Sequence, residues 1–421
     1  MVPMKLQRLS IAFLAFVLLS NTLEAQRELS LQQALQQARQ NNPTLKAQAF
    51  ETPKAQANLT TAQLRPNPVL NNQTLQLTQA AGWVPNTQWY DTRNQQIWWQ
   101  LTKPFQLPAQ RRNRIATAEK GVQVQQWADA EVQRQVLQQV AYKWLDAWTT
   151  RKHLDLLQKA KNNVDSLVLI NQNRLKNQVI AQTELGRTQL LSKQYAVQIE
   201  SLQRDYDNQL RDLQFITGSD QLAIPGESDI LTRDAAQSLE VLVKQAAEQR
   251  SDVQTLKAGV AALTANAKWQ QAQAYPVPEL GMIYNPQNGI PYVGFYGTVA
   301  LPIFSRNQGE IQKAKISSQQ AAQQLESART QVQIEVTNAY QRYQTQQRNV
   351  DTYQQLLQQS DAILSSVRYA YLKGGTSIID FLEAQRSWLD TRQSYYDTLQ
   401  AYRMSYIDLL YYTGTIHQYA Q

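Results

Sequence analysis

Hydrophobic positions in this chain recur at steps of three and four over unusually long stretches, and at steps of two in only two short regions. Leu29-Ser30-Leu31-Gln32-Gln33-Ala34-Leu35 opens an amphipathic helix that stops near Asn41-Asn42-Pro43. Ser30 suits its N-cap, and Pro43 suits the first turn of a second helix expected to reach about Leu64. Arg65-Pro66-Asn67-Pro68 ends it, since two prolines cannot continue a helix. The period then falls to two. Asn71, Gln73, Leu75 and Leu77 alternate with Asn72, Thr74 and Gln76, and Ile97, Trp99 and Leu101 share one face of a second strand expected from Gln96 to Phe105. After Pro104 and Pro108 the helical period returns from about Ala109 to Lys176, roughly 100 Å at 1.5 Å per residue. Val132, Val136, Val140, Trp144 and Trp148 mark part of its stripe. A polar break at Leu175-Lys176-Asn177-Gln178 leads to a helix over about Ala181 to Thr217, closed by Gly218-Ser219-Asp220.

The second half restarts this order. Leu239, Ala246, Ser251 and Val253 correspond to Leu31, Ala38, Pro43 and Leu45, and Ala274-Tyr275-Pro276-Val277-Pro278 to Leu64-Arg65-Pro66-Asn67-Pro68. Strands are expected at Glu279 to Tyr284 and Tyr292 to Phe304, around a turn at Asn285 to Gly289. Ala300-Leu301-Pro302 mirrors Thr102-Lys103-Pro104 before another long helix. There Val332, Ile334, Val336 and Ala339, then Leu356, Leu357, Ile363 and Val367, give a narrow apolar stripe. After Leu372-Lys373-Gly374-Gly375 the stripe resumes in Leu382, Trp388, Leu389, Tyr395, Leu399, Tyr402 and Tyr406. Matching Leu175–Gln178 to Leu372–Gly375, and Leu185 to Leu382, makes the chain a duplication. The expected layout is a leader over 1–25, a first repeat over 26–220, a linker over 221–238, a second repeat over 239–414 and a tail over 415–421. Each repeat carries a β-hairpin (about 68–105 and 279–304) and a long helical hairpin (about 109–217 and 307–412).

Composition narrows the setting. Lys5 and Arg8 precede the apolar run Ile11 to Leu19, and Leu23-Glu24-Ala25 offers a cleavage site, the pattern of a secretory signal peptide. Removing it would change the net charge from +8 to about +7. The basic residues are spread among Gln, Asp and Glu along helix faces, without a nucleic-acid footprint. There is no cysteine, and only His153 and His417, far apart, so neither a thiolate site nor a ligand-spaced metal motif is present in the sequence. No phosphate loop or nucleophile elbow occurs, and neither an enzyme nor a bound cofactor is expected. Four alternating strands of about ten residues fit part of a membrane barrel, which would need three chains and twelve strands to close; a pair of soluble hairpins capping a helical bundle is the alternative. Trp83, Trp89, Tyr90, Trp98 and Trp99 are candidates for a membrane-interface belt. Arg111, Arg112 and Arg114 would then fall near the periplasmic rim, where anionic headgroups suit them.

The opening Leu31-Gln32-Gln33-Ala34-Leu35…Asn41-Asn42-Pro43-Thr44-Leu45, the turn Tyr371-Leu372-Lys373-Gly374…Asp380-Phe381-Leu382-Glu383 and the duplicated layout resemble TolC-type outer-membrane efflux proteins over Leu29 to Gly414. Leu101 to Pro108, with Arg65-Pro66-Asn67-Pro68, is most similar to the heavy-metal (Czc/Cus-type) branch. The resemblance implies a mainly α fold with a small β part: long helical hairpins forming an α-helical barrel in the periplasm, and four strands per chain in a trimeric twelve-stranded barrel in the outer membrane. It implies a homotrimeric duct, in contact with outer-membrane lipid, that serves a periplasmic adaptor and an inner-membrane resistance-nodulation-division pump and exports small solutes, with heavy-metal cations among the candidates. The alternatives are a duct for drug or protein export and a soluble periplasmic coiled-coil or adaptor-like protein. Tyr371, Asp380 and Glu383 would line the periplasmic entrance, and Lys176, Asn177, Gln178, Lys373, Gly374 and Gly375 would dock the adaptor. Asp380 and Glu383, three apart on one helix face, would repeat around the axis and raise each other's pKa, while the Tyr371 hydroxyl would tie neighbouring helices shut.

Overall fold

The computed structural model describes residues 28–226, 237–287 and 290–420. The expected leader, most of the expected linker, the tip 288–289 of the second β-hairpin and Gln421 lie outside them. The chain divides into two compact units, each assembled from both halves of the sequence.

One unit comprises Ala49–Ala130 and Ser251–Thr330. It holds a four-stranded antiparallel sheet of β2 (Val69–Gln76), β3 (Gln95–Pro104), β5 (Glu279–Gln287) and β6 (Ile290–Thr298), in that order. Register sorts the side chains. Leu70 faces Leu101, Leu101 faces Met282, and Met282 faces Phe295; Trp99 faces Tyr284, which faces Val293. Since strand side chains alternate, these residues share one exposed face, apolar across β3, β5 and β6 and interrupted on β2 by Asn72, Thr74 and Gln76. The opposite face carries Asn71, Gln73, Gln96, Gln100 and Thr102. β6 ends at Thr298, so Val299 to Phe304 do not extend it, although the sequence period suggested they would; Pro302 has no N–H for a ladder.

The expected single helix from Pro43 to Leu64 is two, α2 (Pro43–Gln48) and α3 (Glu51–Gln63). Restarting at Glu51 puts Pro53 in a first turn, where its missing N–H costs nothing. Arg111 and Arg114, two of the three arginines expected near the periplasmic rim, close the end of α3. Arg111 donates to the Gln63 carbonyl at 2.9 Å, and Arg114 to the Ala62 and Leu64 carbonyls at 2.9 and 2.6 Å. Both satisfy acceptors that a helix C-terminus leaves open.

The other unit comprises the described parts of Met1–Gln48, Glu131–Arg250 and Gln331–Gln421. α1 (Leu31–Asn41) starts with a capping box at Ser30 and Gln33 and buries Leu31, Ala34, Leu35 and Ala38, one helix face. Trp144 is fully buried, and its indole donates to the carbonyl of Leu29, just before α1, at 2.7 Å. The start of the expected linker is structured: Ile224–Pro225 (β4) pairs in parallel with Glu28–Leu29 (β1). The long arms are α4 (Pro108–Lys176), α5 (Gln182–Thr217), α8 (Gln308–Leu372) and α9 (Ile378–Tyr412), with α6 (Leu239–Gln249) and α7 (Ser251–Ala272) preceding β5. α4 and α8 contribute residues to both units. Some stripe positions remain exposed: Ile334, Leu356 and Ile363 of α8. Among the described residues, no helix is long and apolar enough to cross a membrane.

Candidate functional site at the helical tips

Each long hairpin reverses through the same hydrogen-bonded turn. At the first, Val179 N donates to the Arg174 carbonyl and Gln178 N to Leu175; at the second, Gly375 N donates to Ala370 and Gly374 N to Tyr371. This is the Schellman pattern, whose penultimate residue sits in the left-handed region. Gln178 (φ 59°) and Gly374 (φ 79°) hold that place. The next helices are then capped by Ala181 and Ser377, three residues on in both cases. The repeats therefore align Gln178 with Gly374, one residue away from the match that the shared Leu-Lys pairs suggested. Glu184 takes the position of Asp380, and Leu185 that of Phe381.

The two tips pack on each other within one chain. Leu167, Leu191, Tyr195, Tyr371, Ile378, Phe381, Leu382 and Trp388 belong to one buried cluster. Tyr371, expected to reach a neighbouring helix, is 3% exposed and donates its hydroxyl to Asn171 Oδ1 of α4 at 2.9 Å. Arg174 of α4 donates to the Leu372 carbonyl at 2.8 Å and lies over the Tyr371 ring at 5.0 Å. A guanidinium thus caps the C-terminal end of α8, where the helix dipole favours a cation. Asn171 is fully buried with its Nδ2 unpartnered, as is Nε2 of the buried Gln385. Neither Asn171 nor Arg174 stood out in the sequence; a basic residue in the last turn before a tip was the available signal.

Asp380 is a cap before it is anything else. Its Oδ2 accepts from Thr376 Oγ1 (2.7 Å), Ser377 N (3.1 Å) and Ser377 Oγ (2.7 Å), and Ser377 Oγ accepts from Asp380 N in return. The hydrogen bond from Thr376, with those from Ser377, holds its carboxyl below the usual range, whereas mutual repulsion of acids would raise it. The spelling Ser377-x-x-Asp380 carried this signal in the sequence. Glu383, one turn on, is exposed, as are Lys176, Asn177, Gln178, Lys373, Gly374 and Gly375. Further along, Trp388 Nε1 and Arg392 donate to Asp361 at 2.7 and 2.8 Å, tying α9 to α8. Burial acts to raise the Asp361 carboxyl, but these hydrogen bonds outweigh it and leave it lowered. Among the described residues, no group of three or more His, Cys, Asp or Glu is placed to hold a metal ion.

The five candidate interface aromatics do not form one belt. Trp98 and Trp99 are consecutive in β3 and point to opposite faces, so only Trp99 joins the apolar one. Trp83 donates its indole N–H to the Leu77 carbonyl at 3.0 Å, inside the β2–β3 loop. Trp89 and Tyr90 are exposed there, packed edge to face.

A duplicated pair of long helical hairpins, with one four-stranded sheet made from both repeats, defines the fold class of TolC-type channels. Residues 242–415 match the model of the family described as Outer membrane efflux protein. The chain is 21% identical to Outer membrane protein TolC of Salmonella enteritidis over 52% of its own length and 48% of that protein's. It is 25% identical to Cation efflux system protein CusC of Escherichia coli K12, over 44% of this chain and 43% of CusC. The chain thus spans less than half the length of these curated relatives. A crystal structure of CusC superposes with a TM-score of 0.75 at 18% identity, covering 91% of each chain, so the likeness of fold extends across both repeats.

Proposed function

We propose that three copies of this chain form a duct through the outer membrane, the exit channel of a tripartite efflux system. The observation that carries this reading is the sheet. Its outer strands, β2 and β6, each pair on one side only, and one of its faces is exposed and, across β3, β5 and β6, apolar. An open edge is untenable in lipid, and joining β6 of one copy to β2 of the next closes twelve strands with the apolar face outward and the polar face lining the lumen. The long hairpins then extend into the periplasm. Their exposed tips, Lys176, Asn177, Gln178, Lys373, Gly374 and Gly375, meet an adaptor that links the duct to an inner-membrane pump of the resistance-nodulation-division class. Tyr371, Asp380 and Glu383 stand at the entrance, Tyr371 as a packing element and the two acids as charge. The likeness to CusC, a cation efflux protein by name, supports heavy-metal cations as cargo. The duct does no catalysis of its own.

Fractionation of expressing cells tests the central claim. The chain should stay with outer membranes, require detergent for release and then run at three chain masses. Release with the soluble periplasmic contents as a monomer would overturn the reading. Deleting the gene should lower resistance to the cations exported and leave drug resistance unchanged; the converse would reassign the cargo.

A further inference from the structure

The sheet-bearing unit contains a cleft of about 570 Å³ lined by Arg65, Lys103, Phe105, Arg111, Arg112 and Glu119, among others. Its position follows from the strand register. Lys103 faces Leu280 across the β3–β5 ladder and shares the face of Trp99 and Leu101, so it stands at the helix-proximal limit of the apolar surface. Phe105 comes next, 46% exposed, with the Lys103 ammonium 5.9 Å from its ring centroid. The cleft therefore opens where an apolar sheet face gives way to charge. Four cations line it against the single acid Glu119. Arg111 is partly engaged in capping α3, and its Nε is buried without a partner; Arg65, Lys103 and Arg112 are exposed.

We infer that this cleft is a binding site for the headgroup of an anionic phospholipid in the inner leaflet of the outer membrane. The inference rests on the duct reading, which puts the helix-proximal end of the sheet at the periplasmic surface. A phosphate diester there satisfies the guanidinium and ammonium donors, and guanidinium groups match phosphate geometry well. The acyl chains run up the Trp99, Leu101 and Met282 face, with Phe105 at the boundary. Neither part suffices alone: cations without the apolar face would hold free phosphate equally well, and the apolar face without cations would not discriminate between headgroups.

Native mass spectrometry of the full-length protein from nanodiscs tests this, with equal parts of phosphatidylglycerol and phosphatidylcholine. The wild type should retain phosphatidylglycerol at least tenfold over phosphatidylcholine, given the attraction expected from several basic residues at a lipid surface. The triple variant Arg65→Gln/Lys103→Gln/Arg112→Gln leaves the helix-capping Arg111 and Arg114 intact and should lose that preference. A control with the same loss of charge elsewhere, Lys54→Gln/Arg204→Gln/Arg329→Gln, should keep it. Equal retention of the two lipids by the wild type, unchanged preference in the triple variant, or release of the lipid by excess inorganic phosphate would each overturn the site. If the triple variant misfolds, the single variants Lys103→Gln and Arg112→Gln should each weaken the preference severalfold, and no change in either would overturn it equally. A chain that never enters a nanodisc would sink the duct reading instead.

Discussion

At the residue scale, a few backbone positions and one carboxylate carry consequences that can be measured. Gly218 closes α5 at φ 64°, and a Cβ there would lie 2.2 Å from the Asn41 carbonyl oxygen, too close for any side chain. Gly218→Ala should destabilise the protein by at least about 2 kcal/mol, from left-handed strain plus the shift forced on Asn41. A thermal midpoint within a degree of the wild type's would show that the turn relaxes freely. Gln178 holds the left-handed place that Gly374 fills in the other tip, at the cost of its Cβ. Gln178→Gly should therefore be neutral or stabilising by up to about 1 kcal/mol, whereas Gly374→Gln should be destabilising; the reverse order in thermal unfolding would refute the geometry. Asp380 is depressed by its hydrogen bonds from Thr376 and Ser377, so the contribution of its cap is complete above the ordinary carboxylate pKa of about 3.9. It is lost as pH falls through the lower folded value. Asp380→Asn should remove that acid-side loss from hydrogen exchange of the Ile378–Gln385 turn; a variant that loosens with acid as the wild type does would place the titration elsewhere.

At the scale of elements, the tips show what a sequence displays and what it hides. Period and punctuation made the long arms, the prolines and the strand hairpins legible, because each is a local rule acting on adjacent residues. The exact pairing of the repeats was not legible. Leu175-Lys176 and Leu372-Lys373 look equivalent, but the turn is set by which residue adopts positive φ, and Gln178 gives no outward sign of doing so. The partner of Tyr371 was hidden for a different reason: Asn171 lies 200 positions away, and only packing joins them. That bond tests the tip. Tyr371→Phe leaves Asn171 Oδ1 buried without a donor, a penalty of about 1–3 kcal/mol, while Tyr371→Phe with Asn171→Leu removes both polar partners and should recover most of it. Hydrogen exchange at Leu364–Leu372 should show this order, and equal protection in all three proteins would mean that the bond contributes nothing. The β2–β3 loop is also an ordered element. Asn94 is buried and bridges it, accepting from Val84 N and donating to Thr87 Oγ1 and the Gln88 carbonyl at 2.8 Å each. If the loop faces the exterior, a thiol at exposed Gln88 in this cysteine-free chain should react with an impermeant reagent on intact cells. Labelling only after the outer membrane is breached would invert the topology.

At the scale of the whole molecule, features left unsatisfied in one chain make sense as shared surfaces. Among the described residues two sheet edges lack partners, and Ile334, Leu356 and Ile363 interrupt the polar surface of α8. The proposed threefold assembly would supply a neighbour for both, and it would also multiply the charges at the tips. One chain presents two exposed carboxylates just past the second turn, Asp380 and Glu383, on one helix face. Three chains would set six around one axis, and rings of carboxylates at a pore mouth favour cations. The hydrogen bonds that cap the helix hold the Asp380 carboxyl low, which opposes the proton uptake that repulsion between neighbouring acids would favour. Meanwhile Tyr371, Arg174 and the buried cluster brace the two hairpins of each chain, so in the proposed duct opening would move neighbouring chains apart as paired hairpins. The expected duct is closed at rest, selective for cations when open and blocked by multivalent cations from the periplasmic side. Conductance across planar bilayers decides this, comparing the wild type with Asp380→Asn/Glu383→Gln, which removes the charge yet keeps a hydrogen-bond acceptor for the cap. The double variant should lose cation preference and multivalent block at unchanged trimer yield. Equal preference and block in both proteins would move the selective ring away from these residues and leave the two acids with the roles of cap and solvated surface.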